Sequence, residues 1–138
     1  KESTSQEIDL HSWIRILDDI YTNGVKEVCF SGGEPLLVDY IAEIIEYALD
    51  IGFSVSIITN GTKYSSKIIE ALKNNVKVTV SLDSNDRTEN DKNRGIGSYD
   101  RTTNFLNKKT KQQCNNKRKG KNKKKLFNKT NINLLNMH

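Results

Sequence analysis

Val28-Cys29-Phe30-Ser31-Gly32-Gly33-Glu34-Pro35 passes from three apolar residues directly into two glycines, a carboxylate and a proline. Val25 to Phe30 reads as a short buried strand that the glycines close. Glycines at a strand end let a ligand approach the backbone closely, with carbonyls and N–H groups presented to it. Glu34 adds one negative charge and Pro35 stiffens the exit. Such a site suits a ligand that carries an ammonium group. Two further strand ends carry polar clusters. Phe53 to Ile58 reads as a second strand running into Thr59-Asn60-Gly61-Thr62, and Val76 to Leu82 as a third ending in Ser81-Leu82-Asp83-Ser84.

Helical stripes separate these strands. Asp9 is a plausible N-cap for a helix whose apolar positions are Leu10, Trp13, Ile14, Leu17, Ile20 and Tyr21, and Asn23-Gly24 stops it. Ile41, Ile44, Ile45, Ala48 and Leu49 form a second stripe that Gly52 ends, and Ile68, Ile69 and Leu72 a third. Residues 85–98 read as a polar loop, and a fourth helix begins near Tyr99. Alternation at this period implies βαβ units: an α/β fold with about three parallel strands side by side in chain order. Ligands bind such sheets at the carboxyl ends of the strands, where all three polar clusters lie.

The charge is divided. Residues 1–107 hold all 17 acidic residues and 11 basic ones, net −6, whereas 108–138 hold 11 basic residues and no acid, net +11. The chain therefore divides into a domain over 1–107 and a Lys/Asn-rich tail over 108–138, expected to be disordered because it buries too little apolar surface to offset its ordering entropy. A sheet edge is expected to be raw on both sides, with a strand missing before Lys1 and none after 107. No apolar run approaches the ~18 residues that span a bilayer, so no membrane association is expected. The two cysteines, Cys29 and Cys114, have no metal-ligand or disulfide spacing, and a reducing, cytoplasmic location is the expectation. Cys29 and Trp13 read as core residues, His11 as exposed and Cys114 as part of the unstructured tail.

At these residues the chain resembles the radical S-adenosylmethionine (radical SAM) superfamily. Ser31-Gly32-Gly33-Glu34-Pro35, Thr59-Asn60-Gly61 and Ser81-Leu82-Asp83 carry the resemblance, with Asn90-Asp91 and Arg94-Gly95-Ile96-Gly97-Ser98-Tyr99-Asp100 after them. The last pattern is similar to the peptide-modifying, sulfatase-maturing (SPASM-type) branch. The resemblance implies a partial (β/α) barrel, of which about three βα units are present here, and S-adenosyl-L-methionine as cofactor. Gly32, Gly33 and Glu34 would hold its methionyl ammonium and Pro35 would set the turn. Thr59 and Asn60 would line the pocket, Ser81 and Asp83 would contact ribose hydroxyls or the methionyl carboxylate, and Arg94 would pair with that carboxylate.

It also implies a [4Fe–4S] cluster on a Cys-x3-Cys-x2-Cys segment, from which an electron cleaves the cofactor to a 5′-deoxyadenosyl radical. The only cysteine before Ser31 is Cys29, so the ligands are expected upstream of Lys1. The chain is thus expected to be a fragment, or the remnant of a disrupted gene, that does not form the cluster alone. The implied partners are a peptide or protein substrate and an electron donor such as flavodoxin or ferredoxin. Another class competes through the tail, whose basic residues could neutralise phosphates as a nucleic-acid-binding module. Phe127 is the tail's only aromatic, which gives little support to base stacking, and nucleic acid is not the favoured partner. A sugar- or phosphate-binding α/β domain is the third reading, opposed by Glu34, which repels anions.

Overall fold

The computed structural model describes residues 8–73, 75–119 and 132–135. Helix α1 (Leu10–Thr22) leads to strand β1 (Glu27–Phe30), a 3-10 turn (Pro35–Leu37) and α2 (Ile41–Asp50). Then come β2 (Ser54–Thr59), α3 (Ser66–Ala71), β3 (Lys77–Ser81), α4 (Arg87–Arg94), α5 (Ser98–Lys119) and β4 (Ile132–Leu135). The strands form one parallel sheet in the order β1-β2-β3-β4. The fold class and the three expected strands are present, with a fourth strand beside them.

Alternation along the strands sets the core. Val28, Phe30, Val55, Ile57, Val78 and Val80 share one face, in register across the sheet. The four in β2 and β3 are buried beneath Leu17 of α1, Ile41, Ile44, Ile45 and Ala48 of α2, and Ile68, Ile69 and Ala71 of α3. β1 lies at the edge, so Val28 and Phe30 are only half-buried. Trp13 packs edge-on against Phe30 with ring centroids 6.5 Å apart and is half-buried. The helix start read at Asp9 is built as expected, its carboxylate accepting from the Ser12 N–H at 2.7 Å. The opposite face presents Glu27, Cys29, Ser54, Ser56 and Lys77 around a hollow of about 400 Å³.

The structure corrects several expectations. Cys29 is exposed, because it falls on this second face of the edge strand. Residues 85–98 are not a loop: Arg87–Arg94 is helical, started by Asp86, whose carboxylate accepts from the Glu89 N–H at 2.9 Å. Only Asn90 of this helix is buried, so it has no apolar stripe to announce it. The boundary at 107 falls inside α5, which runs on to Lys119. Its buried positions include Thr102, Phe105 and Lys109, spaced to share a helix face, and a lysine at the third hides that spacing from a hydropathy reading. Lys and Gln are themselves good helix formers, so the composition does not end the helix. Ile132–Leu135 pairs with β3 from Val78↔Ile132 to Ser81↔Leu135, covering the sheet edge that was expected to be raw. The expectations for residues 1–7, 120–131 and 136–138 lie outside the described residues. Among the described residues no helix is long and apolar enough to cross a membrane.

Lys109 is a buried charge without an acidic partner among the described residues. Its Nζ donates to the Val76 carbonyl at 3.2 Å, and burial pulls its pKa down from 10.5 to about 8. The unfolded chain keeps this proton up to the ordinary value, so folding releases it between the two. Stability should therefore rise with pH from about 8 to about 10.5. Each pH unit fully inside that window is worth about 1.4 kcal/mol. Urea titrations of Lys109→Met should show higher stability at pH 7 and no such rise; an unchanged profile would show that Lys109 is not the group responsible.

Candidate functional site

The carboxyl ends of β1, β2 and β3 carry one connected set of polar groups. Gly32 lies at φ +127°, a conformation that L side chains rarely adopt, and a Cβ on either Gly32 or Gly33 would meet open space. The pair forms an exposed step of backbone beside Glu34, and Pro35 and Leu36 are buried behind it.

Glu34 is half-buried and held from three directions. Its Oε1 accepts from the Thr59 hydroxyl at 2.5 Å and from the Leu36 N–H at 3.1 Å, and its Oε2 accepts from the Asn60 N–H at 2.7 Å. A carboxylate offers about four acceptor sites, so one on Oε2 stays open. Thr59 continues the apolar face of β2 to its end and is only 2% exposed, which obliges its hydroxyl to find partners. It accepts from the Gly61 N–H at 2.9 Å and donates to Glu34, so the hydroxyl proton has one direction. Asn60 spends Oδ1 on the Thr62 N–H and hydroxyl, at 2.8 and 2.7 Å. Its carbonyl accepts from the Thr102 hydroxyl at 2.8 Å, tying this loop to α5.

The third strand end is organised by Asn90, which is fully buried. Its Oδ1 accepts from the Asp83 N–H at 3.1 Å and its Nδ2 donates to the Ser98 hydroxyl at 2.9 Å. Asp91 accepts from the Gly97 N–H, the Tyr99 N–H and the Ser98 hydroxyl, at 2.6, 2.8 and 3.0 Å. These bonds, led by that from Tyr99, hold its carboxyl below the usual range. Arg94 Nη2 donates to Asp83 at 2.6 Å, with both side chains about one quarter exposed.

The expected site residues are thus brought together at one end of the sheet, with some arrangements the sequence did not suggest. Thr59 and Asn60 hold Glu34 itself. Asp83 and Arg94 pair with each other. Ser81 ends β3 half-buried, opposite Leu135 in register, and takes no part in the hydrogen bonds described here. Asn90 and Asp91 stand in the sequence motif with no role attached, and neither Thr102 nor Arg101 is distinguished by sequence pattern. The available signal was spacing: Asn90, Arg94 and Ser98 recur every fourth residue across two helices, a pattern that one polar loop would not need.

Among the described residues no three His, Cys, Asp or Glu side chains are grouped so as to hold a metal ion. These residues do not fit an iron–sulfur cluster. The open glycine step and the oriented carboxylate do fit an amino-acid ammonium.

The family model described as the Radical SAM superfamily matches residues 1–118. The chain is 46% identical over 57 residues to an S-adenosylmethionine-dependent nucleotide dehydratase from Selenomonas ruminantium, covering 41% of this chain and 21% of that protein. It is 25% identical over 105 residues to the sporulation killing factor maturation protein SkfB of Bacillus subtilis, covering 75% and 26%. It is 34% identical over 89 residues to an AdoMet-dependent heme synthase of Methanosarcina barkeri, covering 62% and 26%. The chain thus spans about a fifth to a quarter of the length of these relatives.

Replacing Asn90 with Ala should strip the Asp83 N–H of its acceptor in a buried place, at a cost of about 1–3 kcal/mol. Thermal denaturation should show a clear fall in melting temperature, and an unchanged melt would mean that Asn90 does not tie β3 to α5.

Proposed function

We propose that this chain, which belongs to the radical SAM superfamily, holds the methionyl end of S-adenosylmethionine on the carboxyl ends of its first three strands. One observation carries the reading. Glu34 is fixed by Thr59 and Asn60, with an acceptor site left over beside two unobstructed glycines. The Gly32 and Gly33 carbonyls and the free position on Glu34 Oε2 receive the ammonium. Pro35 sets the turn, Thr59 and Asn60 keep the carboxylate aimed, and Ser81 and Asp83 face the ribose or the carboxylate. Arg94, oriented by Asp83, pairs with the carboxylate.

In such enzymes the cofactor supplies radical chemistry once a reduced [4Fe–4S] cluster stands beside it. The described residues of this chain orient one end of the cofactor and provide no ligands for that cluster. A peptide or protein is the proposed substrate of the whole enzyme, supported by the similarity to a killing-factor maturation protein that covers 75% of this chain. A flavodoxin- or ferredoxin-type reductant in the cytoplasm completes the proposal.

The test is calorimetric titration of the full chain with S-adenosylmethionine. Glu34→Ala should weaken binding roughly tenfold to a hundredfold, the range expected for a lost charge-assisted hydrogen bond. Equal affinity in the two proteins, or no binding by the unaltered chain, would overturn the reading.

A further inference from the structure

A separate cavity, of about 290 Å³, lies beside Asn60, and neither open glycine lines it. Asn60, Thr62, Arg94, Ser98, Arg101 and Thr102 line it. Three of these carry hydroxyls, and all three hydroxyl protons are spent within the protein, on Asn60 Oδ1, Asp91 and the Asn60 carbonyl. The free donors are therefore nitrogens. Arg94 Nε is buried with no hydrogen-bond partner, while Nη2 of the same guanidinium is held by Asp83. A buried guanidinium N–H left unpaired is costly, and this Nε has almost no accessible surface, so the Arg94 edge open to the cavity is its terminal nitrogens. Asn60 commits Oδ1 to Thr62, which leaves its Nδ2 as a donor.

Arg101 supplies the charge. It has no acidic partner among the described residues, and Nη2 donates only to the Ile96 carbonyl at 3.1 Å. None of Asp83, Asp91 and Asp100 pairs with it: Asp83 is bound to Arg94, Asp100 to Arg87, and Asp91 to the start of α5. Gly97 makes room for it. A Cβ there would stand 2.9 Å from Arg101 Nη1, and the backbone sits at φ +77°, so the loop holds this guanidinium closely over glycine. The wall thus has one guanidinium paired with Asp83, one guanidinium without an acidic partner among the described residues, and one free amide. That donor set matches the planar, multidentate needs of an oxyanion.

We infer that this cavity is an oxyanion site in which Arg101 acts with Arg94, and that Arg101 is a ligand-binding residue. Two sources share that chemistry: the carboxylate of the cofactor whose ammonium is at Glu34, or a phosphate or carboxylate of the substrate. The first source rests on the function proposed above, and the site itself does not.

Calorimetry on the full chain separates them, with S-adenosylmethionine, its decarboxylated analogue and inorganic phosphate as probes. Arg101→Gln should weaken S-adenosylmethionine about tenfold or more and leave the decarboxylated analogue unchanged, with Arg101→Lys between the two. Arg101 is exposed, so the melting temperature should stay the same. If Arg101→Gln leaves S-adenosylmethionine unaffected but abolishes phosphate binding, the site stands and its ligand is the substrate's. Phosphate binding that depends on Arg101 in a chain that binds no S-adenosylmethionine would keep the site and sink the cofactor reading. Binding of S-adenosylmethionine with no effect of Arg101→Gln on any probe would overturn the site and spare that reading.

Discussion

The site depends on one carboxylate held by a neighbouring strand. Glu34 follows β1, yet two of its three donors, the Thr59 hydroxyl and the Asn60 N–H, come from the end of β2. Parallel pairing makes this possible, because Phe30 lies opposite Ile57 and both strands finish at the same end of the sheet. A free glutamate in a glycine loop would lose rotamer entropy on gripping a ligand, whereas this one has already lost it. The same bonds join the two strand ends where the ladder stops.

From that anchor the order spreads by short steps. Asn60 passes it to α5 through Thr102, and α5 returns it to β3 through Ser98 and Asn90. Asp91 is spent on the first turn of α5, where a negative charge also opposes the positive end of the helix dipole. Asp83 takes one end of Arg94. The outcome is a polar rim in which Asn60 both donates to Glu34 and lines the cavity of Arg94 and Arg101. The proposed ligand is a zwitterion, with an ammonium for the carboxylate and a carboxylate for the guanidinium.

Much of the fold was legible because its first three strands and first three helices bury apolar residues at their proper periods. Ile41, Ile44, Ile45 and Ala48 announce α2, and alternation in β2 announces its buried face. What was illegible is held by polar contacts. The helix Arg87–Arg94 buries only Asn90, and a pattern-based reading sees a loop. α5 was cut short because a buried Lys109 sits where the stripe needs an apolar residue. Cys29 was assigned to the core because strand identity alone does not tell which face of an edge strand is covered. At the site, the motifs located the strand ends correctly. That Thr59 serves Glu34, or that Asp83 engages Arg94, depends on distances across 25 and 11 residues of chain that no local pattern encodes.

The most direct test of the central claim is a crystal structure of the chain grown with S-adenosylmethionine. The account requires the cofactor's ammonium within about 3 Å of Glu34 Oε2, with Oε1 still accepting from Thr59. A cofactor bound elsewhere, or a Glu34 side chain swung away from Thr59 and Asn60 to reach it, would contradict the claim that this carboxylate is prepared for its ligand in advance.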